Sequence, residues 1–175
     1  MRKILAPLLF LALACHGFTA MAQVAKAGNF QQSKQLAGLS RALNSSGTFA
    51  ITDSEVLWTT TSPLYSEVKI SGDSVSERYS RDGEFQVTAQ GESVTTVSRV
   101  LALIVKNDIP GLARYFDVKQ QGNNSQLTPR SEALKQLFTR IDIAQRAAEV
   151  NVTIAEAAGS VTKITLQPAA IQPGS

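Results

Sequence analysis

From Gly47 to Ile70 apolar and polar positions alternate with a period of two. Phe49 and Ile51 alternate with Thr48, Ala50 and Thr52, and Asp53-Ser54-Glu55 is polar enough to turn the chain. Val56 to Thr61 is dense in β-branched residues around the only tryptophan, Trp58. Ser62-Pro63 ends that run, after which Leu64, Ser66, Val68 and Ile70 share one face. Alternation of this kind, with β-branched and aromatic enrichment, predicts antiparallel strands that bury one face.

Before this stretch the period changes. From Gly28 to Leu43, Leu36, Leu39 and Leu43 follow a three-then-four spacing, Phe30 and Ala37 are seven apart, and Asn44-Ser45-Ser46-Gly47 follows as a stop. The spacing predicts an N-terminal helix, with Gly38 costing it about 1 kcal/mol against alanine. Downstream, Val75–Ser80 and Glu84–Thr88 flank Arg81-Asp82-Gly83, a hairpin signal. Val94, Val97, Leu101 and Ile104 then lie on one helical stripe, with Val100, Leu103 and Val105 beside it. A helix this apolar needs cover on two sides, or alternates between two covers. Asn107-Asp108 caps a short second helix carrying Pro110 in its first turn, and Gly111 marks a candidate hinge.

Strands resume at Phe116, where Phe116, Val118 and Gln120 share one face and alternate with Asp117, Lys119 and Gln121. Gly122-Asn123-Asn124 turns the chain into Ser125–Thr128, and Pro129–Gln136 reads as a loop with a helical turn. Further strands cover Leu137–Ile143, Val150–Ile154 and Thr162–Leu166. The order is helix, several strands, two helices, several strands. The class this implies is α+β, with one large, strongly curved antiparallel sheet and helices on one face.

The first residues carry an address rather than structure. Met1-Arg2-Lys3 is a basic leader, Ile4–Ala14 is apolar but too short to span a bilayer, and Ala20-Met21-Ala22 is a cleavage signal. The expected organisation is a signal peptide at 1–22, one domain at 23–167 and a small, proline-containing tail at 168–175, with secretion across a membrane. A competing site is Leu13-Ala14-Cys15, where processing would leave a lipid on Cys15. Removal of Arg2 and Lys3 brings the seventeen basic residues to fifteen against fourteen acidic ones, so no basic surplus points to nucleic acid. Cys15 and His16, the only cysteine and histidine, leave with the leader. The remainder has no thiol or imidazole for catalysis or metal binding, and no phosphate-binding glycine pattern. Its carboxylates are scattered. A hydrolase would need Asp53, Glu55 or Asp117 gathered in one cleft. No enzyme activity, cofactor or metal is expected. Two arrangements remain for the apolar face and the apolar helix: they fill each other, or they enclose an apolar guest.

Four stretches together resemble the LolA family of periplasmic lipoprotein carriers, in particular its divergent branch. Phe30-Gln31-Gln32-Ser33-Lys34 with Leu36, Leu39 and Leu43 is similar to the opening segment. Asn44-Ser45-Ser46-Gly47-Thr48-Phe49, then Leu57-Trp58 and Pro63, is similar to the first hairpin. Asp108 to Val118 is similar to the segment after the lid helix, and Leu137-Phe138 to Leu166 to the closing strands. The resemblance implies a half-barrel whose concave face is covered by the N-terminal helix and the central helix pair. It implies a monomer that takes acylated lipoprotein, or a related lipid, from an inner-membrane exporter to an outer-membrane acceptor. Leu39, Leu43, Phe49, Ile51, Trp58, Val68, Ile70, Leu101, Ile104 and Phe116 are the positions expected to line the cavity. The arginine that holds the lid in the family has no counterpart, since Asp53-Ser54-Glu55 stands at its place.

Overall fold

The period-two segments assemble into one sheet. The computed structural model describes residues 26–52 and 54–169, the side chains of 92–94 excepted. The expected signal peptide, Cys15, Asp53 and the tail beyond Ala169 lie outside the described residues. The first six strands are β1 (Lys26–Gln35), β2 (Leu43–Ile51), β3 (Glu55–Ser62), β4 (Ser66–Ser71), β5 (Ser74–Arg78) and β6 (Gln86–Gln90). Helices α1 (Glu92–Lys106) and α2 (Ile109–Leu112) follow. The chain then forms β7 (Phe116–Gln121), β8 (Asn124–Pro129), the short α3 (Glu132–Lys135), β9 (Phe138–Arg146), β10 (Glu149–Glu156) and β11 (Val161–Pro168). All eleven strands join one curved antiparallel sheet, not closed into a barrel, in the order β6-β5-β4-β3-β2-β1-β11-β10-β9-β8-β7.

The expected α+β architecture is present, but its N-terminal helix is not. Residues 26–35 form β1, the middle strand of the sheet, paired to β2 on one side and β11 on the other. Pairing on both edges satisfies the backbone groups that a helix would have satisfied internally. Gly28, Asn29 and Ser33 are poor helix formers, so local propensity offers little resistance. The leucine spacing that suggested a helix belongs to the turn after the strand, where Gly38 has φ 80°. Glycine is required for another reason at Gly28, where a Cβ would stand 2.2 Å from the Gln167 carbonyl oxygen.

The Arg81-Asp82-Gly83 turn is longer than expected, spanning 79–85. Arg78 organises it: its guanidinium lies 4.7 Å from the Phe85 ring centroid, donates to the Arg81 carbonyl at 2.9 Å and pairs with the Glu67 carboxylate. Burial alone would raise the Glu67 carboxyl, but hydrogen bonds from Arg78, Tyr65 and Thr59 together hold it below the usual carboxylate range.

The core lies between the sheet and α1. Phe30, Phe49, Ile51, Leu127, Ile141, Val152 and Leu166 are buried on the strands, and Val100, Ile104 and Leu112 on the helices. Gly91 precedes α1 at φ 113°, and its N–H donates to the Asp73 carbonyl at 3.0 Å. At the other end Asn107 closes the helix in the left-handed region, and its side-chain amide reaches Gln145 of β9 at 2.8 Å. Thus α1 is fixed to the sheet at both ends. In α2 the Asp108 carboxylate accepts from the Gly111 N–H at 3.0 Å, the expected cap.

Candidate functional site

Under α1 the sheet keeps a hollow of about 220 Å³. Its floor is Val56 and Trp58 of β3, Val68 and Ile70 of β4, Val152 and Ile154 of β10, Ile164 and Leu166 of β11, and Gln32 of β1. Leu101, Ile104 and Val105 of α1 form the roof. Positions three and four apart on a helix fall on one face, which is why these three point down together. No lining residue is charged, and Gln32 is the one polar side chain among them. Phe30 stacks on Trp58 with centroids 4.0 Å apart, and Phe49 lies against it at 6.2 Å. These contacts fix the indole in the wall at a cost in freedom already met by folding.

Of the expected cavity positions, Trp58, Val68, Ile70, Leu101 and Ile104 stand in the wall. Phe49, Ile51 and Phe116 are buried in the surrounding core but do not line the hollow. Leu39 and Leu43 are placed elsewhere. They are 54% and 55% exposed, at the turn between β1 and β2. Their expected inward face depended on a helix that does not form.

Val56, Val105, Val152, Ile154, Ile164, Leu166 and Gln32 were missed. The alternation through 150–154 and 162–166 puts the right residues on a common face. That this face meets β3 and β4 across one cavity follows from the central placement of β1, β2 and β11.

Beside the hollow runs a wider groove of about 520 Å³, and Val56 and Ile70 line both. Its other walls are mostly polar: Thr52, Glu55 and Ser71 from the sheet, Thr95, Arg99 and Lys106 from α1. The apolar hollow therefore borders a polar mouth at one flank of the helix. The carboxylates considered for hydrolysis are apart in chemistry as well as in sequence. Glu55 lines this mouth, whereas Asp117 on the edge strand β7 is bonded to Arg130 at 2.7 Å.

An open antiparallel sheet curved beneath a helix, with an uncharged apolar hollow between them, is consistent with a lipoprotein-carrier-like fold. The family described as outer membrane lipoprotein carrier protein LolA matches residues 22–173. The chain belongs to the LolA family, whose members are carriers, not enzymes. No curated protein matches it.

Proposed function

We propose that this protein is a periplasmic carrier that shields the acyl chains of lipoproteins, or of related lipids, on their way from inner to outer membrane. The observation that carries the reading is the roofed apolar hollow, with Trp58 in its floor and no charge in its lining. Each methylene moved from water into such a wall contributes about 0.8 kcal/mol, so a chain is held without any bond being made or broken. Family membership supports the same assignment.

The volume sets the mechanism. Pockets that enclose a small organic ligand run to roughly 300–1,000 Å³, and the hollow is about 220 Å³. A long acyl chain therefore requires α1 to lift, with Gly91 at one end and the Asn107–Gln145 contact at the other as the places where it would give. Release then needs an acceptor whose own apolar site competes for the chain.

Mass spectrometry of the protein purified from its own periplasm tests this directly. Native mass should exceed denatured mass by an acyl lipid, and organic extraction should recover that lipid. A lipid-free protein that also takes up no apolar fluorophore would sink the proposal. The denatured mass reports processing as well. A chain starting at Gln23 is the soluble carrier, whereas an acylated Cys15 makes it the membrane-anchored acceptor of the same fold.

A further inference from the structure

The large apolar side chains left exposed among the described residues are Leu39, Leu43, Leu64, Tyr79, Val87 and Leu137. In an antiparallel sheet successive turns alternate between two ends. The β1–β2, β3–β4, β5–β6 and β10–β11 turns share one end, as does the entry from α3 into β9. Leu39, Leu43, Leu64, Tyr79 and Leu137 belong to those connections or their first strand residue, and Val87 is the second residue of β6, which starts there. The opposite turns, at residues 52–54, 72–73, 122–123 and 147–148, expose no large apolar side chain among the described residues.

Direct contacts knit this end together. The Ala37 N–H donates to Ser160 Oγ at 3.3 Å, and the Ala157 N–H to the Leu137 carbonyl at 3.0 Å. The Arg81 guanidinium stands 5.1 Å from the Tyr65 ring centroid. The turns thus form one rim, with Leu64 at 80% exposure. Exposed apolar groups gathered on one edge mark a protein or membrane contact.

Two features favour a lipid surface. The apolar groups sit on separate turn tips, while the hollow nearest the central turns is lined by polar side chains such as Gln31, Ser33, Asn44 and Ser46. Charge on the rim balances. Lys34 is paired with Glu156 and Lys135 with Glu132, and Arg41 and Arg81 on these turns are matched in number by Asp82 and Glu84. A neutral rim of leucine and tyrosine tips suits a zwitterionic headgroup layer, where such side chains settle at the apolar boundary.

We infer that this end of the sheet is a membrane-contacting rim, with Leu39, Leu43, Leu64 and Tyr79 entering the interface of a zwitterionic bilayer. The inference rests on the carrier reading for its purpose, and on the clustering of exposed side chains for its evidence. Binding is weak and reversible, and changes little with salt because no net charge drives it.

Sedimentation with phosphatidylcholine vesicles at low and high salt is the test, using the full processed chain. Wild type should co-sediment at both salts, and Leu39→Glu with Leu64→Glu should reduce partitioning roughly tenfold or more. Thermal melting of the double variant confirms the fold. Its uptake of a monomeric apolar fluorophore, followed through Trp58, should match wild type. Wild type left in the supernatant, variants that sediment equally, or binding abolished by salt would each overturn the rim. So would loss of transfer to an acceptor protein by variants that bind vesicles normally, since the rim would then be reading a protein. Lost fluorophore uptake in wild type, with vesicle binding intact, would instead reject the carrier reading and leave the rim standing.

Discussion

Ile104→Ala is the perturbation that separates a hollow from a filled core. Ile104 is 3% exposed and hangs from α1 into the cavity roof. The substitution deletes three carbons. At about 0.8 kcal/mol each this removes ~2.4 kcal/mol of folding stability, toward the low end of the ~2–5 kcal/mol seen for such truncations. In a solid core that loss would be the same whatever is dissolved alongside. Here the deleted volume joins a space of about 220 Å³, and a guest chain can refill it. If two guest methylenes enter, ~1.6 kcal/mol returns and the guest binds about 15-fold tighter. Urea unfolding followed by Trp58 emission, with and without a long-chain fatty acid, measures both quantities. Val100→Ala is the control: Val100 is fully buried on the same helix but outside the cavity wall. It should lose stability equally in the free and loaded protein. The reasoning is refuted if Ile104→Ala behaves like this control, with an unchanged guest affinity and the same stability loss in both states.

Three further outcomes follow from particular residues. Gly47 sits at the bulge between β2 and β3, where a Cβ would meet the Thr59 carbonyl oxygen at 1.9 Å; Gly47→Ala should cost about 3 kcal/mol or more, seen as a lower urea midpoint. Ala147 holds φ 51° in the β9–β10 turn. Relief of a ~1–2 kcal/mol left-handed penalty exceeds the ~0.5–1 kcal/mol entropic cost of glycine, so Ala147→Gly should stabilise by ~0.5 kcal/mol in the same assay. The Lys34 ammonium, 2.8 Å from Glu156, holds that carboxyl below its usual range against the opposing effect of burial, and the Thr162 hydroxyl assists. A lowered folded value means the stabilisation is complete above the unfolded value and fades as pH falls through the folded one. Both partners are partly exposed, so Glu156→Gln should cost only ~0.5 kcal/mol at neutral pH, and its unfolding curves should converge with wild type in acid.

Most strands of this protein are local events. β-branched alternation through Val56–Thr61, Val150–Ile154 and Thr162–Leu166 restricts those segments to an extended chain with one apolar face, and nearest neighbours along the chain are enough to impose it. The apolar stripe of α1 is equally local, because residues three and four apart meet on one helical face whatever surrounds them. The resemblance to carriers was legible for the same reason, in short patterns such as Phe49…Trp58…Pro63. What adjacency does not contain is partnership. Residues 26–35 become a strand because β2 and β11 offer ladders on both edges, a condition met only when chain ends more than a hundred residues apart come together. That closure sets Val152, Ile164 and Leu166 across from Trp58 and Val68, and leaves α1 as a roof over a gap its side chains do not fill. It also sends Leu39 and Leu43 out to a turn. Apolar character is written residue by residue, but whether it meets another side chain, a hollow or water depends on which distant segment lies opposite, and only the folded sheet decides that.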